Sequence, residues 1–331
     1  MARFRRVALV MSGGAALGAY QAGACAALEG CGVRPNWIAA TAIGAVNAAI
    51  VAGSLPHERA ARLRRFWQEL ARRAGGRAGG RARASLGRIF TRREAARPPA
   101  EAAPVSAAEL RELIAGAVDF DRVNSGAVRV VLGALSLTTG AETFFDNDRH
   151  VLSFDHVMAS LPLPGLPPVA IGGQVYGGSA ASVGALEDAR PADTLCVAID
   201  GYDPAPSREG GVSRSAREIA ALRRNYDLRR MIALLGERLP PAAQADVEMK
   251  KCLAAASSAT MTILHLVHEG SGADLAVKMT DFSAAAMARR WQAGEADVKT
   301  SFAQPLWLAP PSRVSGVVVH EVRGGIAAPP R

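Results

Sequence analysis

The sequence predicts an α/β fold with a mostly parallel central sheet. Near the N-terminus the order is strand, Gly-rich loop, helix, strand, tight turn, helix, which is how a parallel α/β sheet begins. Further apolar runs of strand type then alternate with longer stretches of helical periodicity. With 331 residues, 49% of them apolar, the chain can bury a sizeable core as one large α/β domain or two small ones.

Residues 6–11 read as a short buried strand. The basic start Met1-Ala2-Arg3-Phe4-Arg5-Arg6 and the apolar run after it have the outline of a signal peptide. That run meets Gly13-Gly14 without a small-residue cleavage site, so the strand reading is preferred. Residues 16–30 read as a helix, 38–41 as a second strand and 44–53 as a helix of small residues. From His57 to Arg73, Leu63, Phe66, Trp67 and Leu70 recur at helical spacing between arginines. Gly75 to Ala84 is low in complexity and reads as linker. A helix over 105–118 has Ser106 as N-cap and Glu109 at the capping-box position. Val128 to Leu137 is the most strand-like run, and 161–169 is a proline-rich loop. Residues 195–199 and 261–267 read as strands; 213–239, 243–256 and 282–302 read as helices, the last capped near Asp281. From Pro305 the chain is Pro-rich and poorly periodic, apart from Val317 to His320.

No apolar run reaches the ~18 residues that span a bilayer. Cys25, Cys31, Cys196 and Cys252 have neither metal-site nor framework spacing. Cys25 and Cys31 read as reduced packing residues, which fits a cytoplasmic home. The net charge of +9 is concentrated: residues 59–97 hold thirteen arginines against Glu69 and Glu94, a surplus larger than that of the whole chain. One reading is a solvated helix and loop. The other is attachment of Arg59–Arg97 to anionic lipid head groups, with Leu63, Phe66, Trp67 and Leu70 as the apolar face of an interfacial, peripheral-membrane helix. Nucleic-acid binding rests on charge alone, because no reading motif accompanies it.

The chemistry-bearing text is Ser12-Gly13-Gly14-Ala15-Ala16-Leu17-Gly18-Ala19-Tyr20-Gln21-Ala22-Gly23. As a dinucleotide fingerprint it puts Ala15 where the middle glycine belongs, and no acid stands between Glu29 and Glu58. A plain strand-to-helix turn is one alternative. Another is an oxyanion hole, in which backbone N–H groups at a helix start stabilise developing negative charge. Downstream stands Ile38-Ala39-Ala40-Thr41-Ala42-Ile43-Gly44-Ala45-Val46-Asn47. A nucleophile elbow needs small residues two before and two after the nucleophile, and Ala40 and Gly44 satisfy this.

These segments together resemble the N-terminal signatures of the patatin-like phospholipase family, a Gly-rich oxyanion loop followed by a G-x-S-x-G elbow. Further similarity to a bacterial subfamily with an extra C-terminal region lies at 118–124, 138–140, 145–147, 190–195, 262–266, 281–283 and 291–294. The resemblance implies a three-layer α/β/α fold over 5–304, no cofactor and no metal, and a lipid or fatty-acyl ligand. It assigns 74–104 as an Arg/Gly/Ala-rich insert, 213–304 as the subfamily's C-terminal helical extension and 305–331 as an irregular tail. Gly13, Gly14, Ala15, Ala16, Ile43 and Gly44 fall at oxyanion and substrate-binding positions, and Asn47 fits the extension of the elbow motif.

Both members of the family's Ser-Asp dyad are missing. The nucleophile position is Ala42, which has no oxygen; the adjacent Thr41 would point elsewhere on a sharp turn. After the proline-rich loop, the dyad Asp should fall at Gly177, or at Gly178 with a one-residue gap, and no acid occurs from Val157 to Leu186. His265 and His268 sit on a strand pattern at a spacing that points them to opposite faces, and read as packing residues rather than a metal pair. The expectation is a protein that keeps the lipid or acyl site without its nucleophile, in a regulatory or membrane-associated role. The alternatives are an acyl hydrolase with an unrecognised nucleophile, and a basic adaptor acting through residues 57–97.

Overall fold

Strands of almost unbroken apolar sequence are stable only where both faces are covered. The computed structural model describes residues 3–77, 104–161, 166–178, 186, 191–201, 214–268, 275–303, 305–309, 311–312, 314–324 and 326–327. Among them, β1 (Arg6–Met11), β2 (Trp37–Thr41), β3 (Arg129–Leu135) and β4 (Glu142–Asp146) lie in one sheet with β7 (Thr194–Asp200), β8 (Met261–Val267), β9 (Val317–Arg323) and β10 (Ile326–Ala327). A separate hairpin pairs β5 (Val169–Ile171) with β6 (Gln174–Tyr176). The large sheet runs β10-β9-β8-β7-β1-β2-β3-β4, antiparallel only at its two outer pairs. Alternation along β1 shows the layering. Val7, Leu9 and Met11 join one apolar cluster, while Ala8 and Val10 join another on the opposite face.

The first face is covered by α1 (Gly18–Gly30), α2 (Ile43–Ala52), α3 (Arg59–Arg77), α4 (Ala107–Ala117) and α11 (Ala284–Ala303); α5 (Phe120–Asn124) and α6 (Phe154–Ala159) flank them. The second face is covered by α7 (Arg214–Gly236), through Ile219, Leu222 and Tyr226. Three layers result, as expected. Between α7 and β8 lie α8 (Pro241–Gln244) and α9 (Val247–Leu253); α10 (Leu275–Thr280) precedes α11. The single helix expected over 243–256 is thus two, because Asp246 caps a new start by accepting a hydrogen bond from Met249 N–H at 3.0 Å. Ser106 and Glu109 form the expected capping box on α4.

Four expectations need correction. The apolar stripe of α3 does not face lipid: Leu63, Phe66, Trp67 and Leu70 are all buried in the core beside α1 and α2. The helix also continues through Gly75 to Arg77, where linker was expected; residues 78–103, most of the expected insert, lie outside the described residues. Residues 305–331 are not merely irregular, since β9 pairs with β8 along its full length and its Val317 and Val322 are buried. Cys25 packs beside Met11, but Cys31 is exposed at the end of α1. No helix among the described residues is long and apolar enough to cross a membrane.

Besides the pairing of β1 with β7, the C-terminal half is joined to the N-terminal half by the contact of α1 with α11. The two helices touch backbone to backbone at two glycines. A Cβ on Gly23 would stand 2.1 Å from Trp291 O, and one on Gly294 would stand 2.2 Å from Tyr20 O. Tyr20 then donates a buried hydrogen bond of 2.6 Å to Asp297. Burial, and next the Asp297 carboxylate, push the Tyr20 hydroxyl well above the ordinary tyrosine value, so it stays a donor.

Gly294→Ala should therefore force these helices apart and cost about 1–3 kcal/mol, the usual range for overpacking. Gly116→Ala, where an added methyl meets nothing within 4 Å, should stabilise α4 by about 0.5–1 kcal/mol. Urea unfolding of the two variants checks both; equal midpoints would remove the close-contact argument.

Candidate functional site

The strand-to-helix turn after β2 is sharp because nothing larger than hydrogen fits beneath it. A Cβ on Gly44 would stand 2.4 Å from Met11 O. Ala42 takes up the bend at φ 52°, ψ −131°, a conformation that costs a non-glycine residue about 1–3 kcal/mol. Its N–H donates to Ser160 Oγ at 3.0 Å, and Ser160 Oγ–H donates to Gly133 O at 2.5 Å. The turn is thus tied to β3 from outside.

The loop after β1 approaches this turn from the side. Gly14 (φ 141°) and Ala15 (φ 46°) both lie at positive φ. Ala15 therefore adopts the left-handed backbone where a glycine would be unstrained. A Cβ on Gly13 would stand 3.3 Å from Ala42 Cβ, so loop and elbow face each other. The N–H groups of Gly13, Gly14, Ala15 and Ala16 make no hydrogen bond to another described residue.

A buried polar chain holds the two segments in register. Asn47 Nδ2–H donates to Gly18 O at 3.0 Å and to Gln21 Oε1 at 3.2 Å. Gln21 Nε2–H donates to Ser12 O at 2.6 Å, and Trp67 Nε1–H donates to Asn47 Oδ1 at 2.9 Å. Gly18 must be glycine here, since a Cβ would stand 2.7 Å from the Trp67 ring and 2.9 Å from Ile43 Cγ1.

The structure thus brings Gly13 against Ala42 and Gly18 against Ile43, with Gly14, Ala15 and Ala16 in the loop between the two glycines and Gly44 beneath the turn. Gly177 and Gly178 reach the same end of the sheet along β3: Leu135 N–H donates to Gly178 O at 2.8 Å, two residues beyond Gly133. Neither position carries an acid; residues 179–185 lie outside the described residues. A cavity of about 500 Å³ lies elsewhere, between α3 and α4, lined by His57, Arg65, Phe66 and Leu113 among others. Its place on the outer helices gives it no part in this arrangement.

Three side chains to which the sequence assigned no chemistry meet nearby. Ser12 Oγ–H donates to Asp200 Oδ1 at 2.5 Å, and His265 Nε2 is 2.7 Å from Asp200 Oδ2. His265 was expected only to pack. Asp200 ends an apolar strand immediately before Gly201, a visible but weak signal. His268 stacks on Tyr20 with ring centroids 4.9 Å apart. Burial, then Arg290 and Lys278, push its imidazole down to about 4. Among the described residues no cluster of three or more His, Cys, Asp and Glu is placed to hold a metal ion.

A family model described as a patatin-like phospholipase matches residues 9–201, more than half of the chain, and a second, described as a patatin phospholipase, matches 212–314. No curated protein matches the sequence. Among solved structures, VipD from Legionella pneumophila is similar with a TM-score of 0.36 at 12% identity, over 87% of this chain and 67% of that one. So slight a likeness bears on neither fold nor activity.

The His268 environment predicts a pH dependence. The folded value near 4 lies below the unfolded value of about 6.5. Between the two the unfolded chain binds more protons, so stability is present above 6.5 and is lost as pH falls toward 4. His268→Phe keeps the ring and removes the titration. Urea midpoints measured from pH 7 to 4.5 should fall less steeply for the variant; parallel slopes would show that His268 is not the group responsible.

Proposed function

The chain belongs to the patatin-like phospholipase family, and we propose that it binds a lipid or fatty-acyl group at the elbow without cleaving it there, in a regulatory or membrane-associated role. The observation that carries this reading is the backbone of Ala42. An alanine with no chemical task is held in a strained conformation, and the strain persists because Gly44 against Met11 and the bond to Ser160 leave the turn no alternative. The loop after β1 meets it at Gly13, and the N–H groups of Gly13 to Ala16 bond to no other described residue, which supports reading the loop as a cradle for an acyl carbonyl or carboxylate oxygen. Attack is what the elbow lacks: residue 42 offers a methyl group, and residues 177 and 178 offer no base.

The arginine surface contributes attraction without insertion. Arg64 and Arg72 have side chains 55% and 71% exposed, while the apolar residues of the same helix are turned into the core. Adsorption to anionic membrane through the arginines of 62–97 is then electrostatic, about 1 kcal/mol for each basic residue near the surface; Arg59, expected to take part, is buried and bonded to Glu29 and to Val51 O. Several of these charges are already countered, Arg62 by Glu58, Arg64 by Glu295 and Arg72 by Glu69.

Binding of a dansylated fatty acid, measured beside hydrolysis of p-nitrophenyl esters, tests the main reading. Wild-type protein should bind the fatty acid and turn esters over well below about one per second, the low end of ordinary enzymes. Ala42→Ser with Gly177→Asp should raise hydrolysis at least about 100-fold, the lower range for a restored catalytic base. Position 177 is the better of the two for the acid. There a Cβ comes within 3.4 Å of only the end of the half-exposed Leu137 side chain, at 2.9 Å, with Pro168 Cβ at an ordinary 3.6 Å, whereas at 178 it meets Leu135 Cβ at 3.0 Å. No fatty-acid binding, or wild-type turnover at ordinary rates, would sink the reading.

For the membrane, co-sedimentation with anionic vesicles should vanish at about 0.5 M salt, where the Debye length has shrunk to a few ångströms. Trp67 emission should not shift on binding; a blue shift traced to Trp67 would mean that α3 leaves the core.

A further inference from the structure

In an open parallel sheet, ligands bind in the crevice at the carboxyl ends of the strands where the strand order reverses. In this sheet the reversal lies between β1 and β7, since the chain leaves β1 toward β2 and β3 and later returns on the other side. Met11 is in register with Ile199, so the next residues, Ser12 and Asp200, stand at the mouth of that crevice. Ser12 is half-buried, while Asp200 and His265 are buried. Gly201 lets the strand end close against the loop, since a Cβ there would stand 3.1 Å from Gly13 O.

We propose that Ser12 is a nucleophile displaced by one strand from the empty elbow, with Asp200 as its base, and that it accepts the acyl group of a lipid ester. The proposal rests on the acyl-ligand reading for its substrate class. The Ser12 hydroxyl already donates to one oxygen of Asp200, the geometry in which a carboxylate takes the proton directly. The other oxygen is held by His265, a positioning residue that fixes the carboxylate. The N–H of the residue after a nucleophile commonly serves its oxyanion hole, and here that residue is Gly13, whose N–H has no partner among the described residues. One loop thus has two chemical sides, Gly13 toward Ala42 and Ser12 toward Asp200.

The step balances without a further co-reactant except water. Ser12 Oγ bonds to the acyl carbon as its proton passes to Asp200. The tetrahedral adduct collapses, the ester C–O bond breaks, and the Asp200 proton goes to the departing alkoxide. Water, deprotonated by Asp200, then releases the fatty acid at well below about one turnover per second, the rate expected of the wild-type chain above, and Asp200 returns the proton to Ser12.

The test is covalent trapping on the full chain. Decyl fluorophosphonate should phosphonylate Ser12, with fluoride leaving, and peptide mapping should find the adduct there. Ser12→Ala should abolish it while still binding dansylated fatty acid. Asp200→Asn should slow labelling about 100-fold or more, the lower range for loss of a general base. His265→Leu should slow it about tenfold, and His265→Gln, which keeps an N–H donor, should restore most of the rate; a merely structural histidine would not distinguish the two at equal thermal stability. A wild-type protein that binds the fatty acid but takes no label at Ser12, or is labelled at another residue, overturns the proposal and leaves the acyl-ligand reading standing. Labelling at Ser12 without fatty-acid binding supports the nucleophile and overturns that reading. Neither labelling nor binding overturns both.

Discussion

The amide of Asn47 is the constraint on which the site depends. It is fully buried, and it bonds at once to the first turn of α1, to Gln21 and to the indole of Trp67. Through Gln21 the chain of bonds continues to the carbonyl of Ser12 and, at 3.3 Å, to that of Ile199. Three helices and the ends of two strands are thereby referred to one side chain. A buried polar group left without a partner costs about 1–3 kcal/mol, so each member of this chain fixes the orientation of the next. The loop and the elbow face each other because their helices cannot rotate independently.

Within that frame the residues divide by what they exclude. Gly18, Gly23, Gly44 and Gly294 each mark a place where another segment occupies the space of a side chain. Ala15 and Ala42 are the reverse case, side chains kept where the backbone favours glycine. The geometry of the turn is therefore held by packing and not by the chemistry of residue 42.

The loop, the elbow and their adjacency were legible in the sequence, because small residues at fixed offsets have a steric cause that is local. So was the capping box on α4. The direction of α3 was not. Its apolar stripe has the same period whether it meets a bilayer or a sheet, and only the partner decides. Nor was β9 fully legible: a short strand with His320 and Glu321 inside it becomes sheet because β8 offers it an edge. The meeting of Ser12, Asp200 and His265 joins three strand ends far apart in sequence, and no local spacing announces it.

The glycine contact between α1 and α11 bears on how the chain comes to be folded. The strand beside β1 is β7, and the strand beside β7 is β8, which starts at Met261; the helix that closes over α1 ends at Ala303. During synthesis the first two hundred residues therefore emerge with the middle of their sheet open along one edge. Contacts this distant in sequence form late, and an unpaired apolar strand edge invites association with other chains until they do. The C-terminal hundred residues serve the nascent protein as its closing cover, and a ribosome that stalled before them would release an open, adhesive sheet.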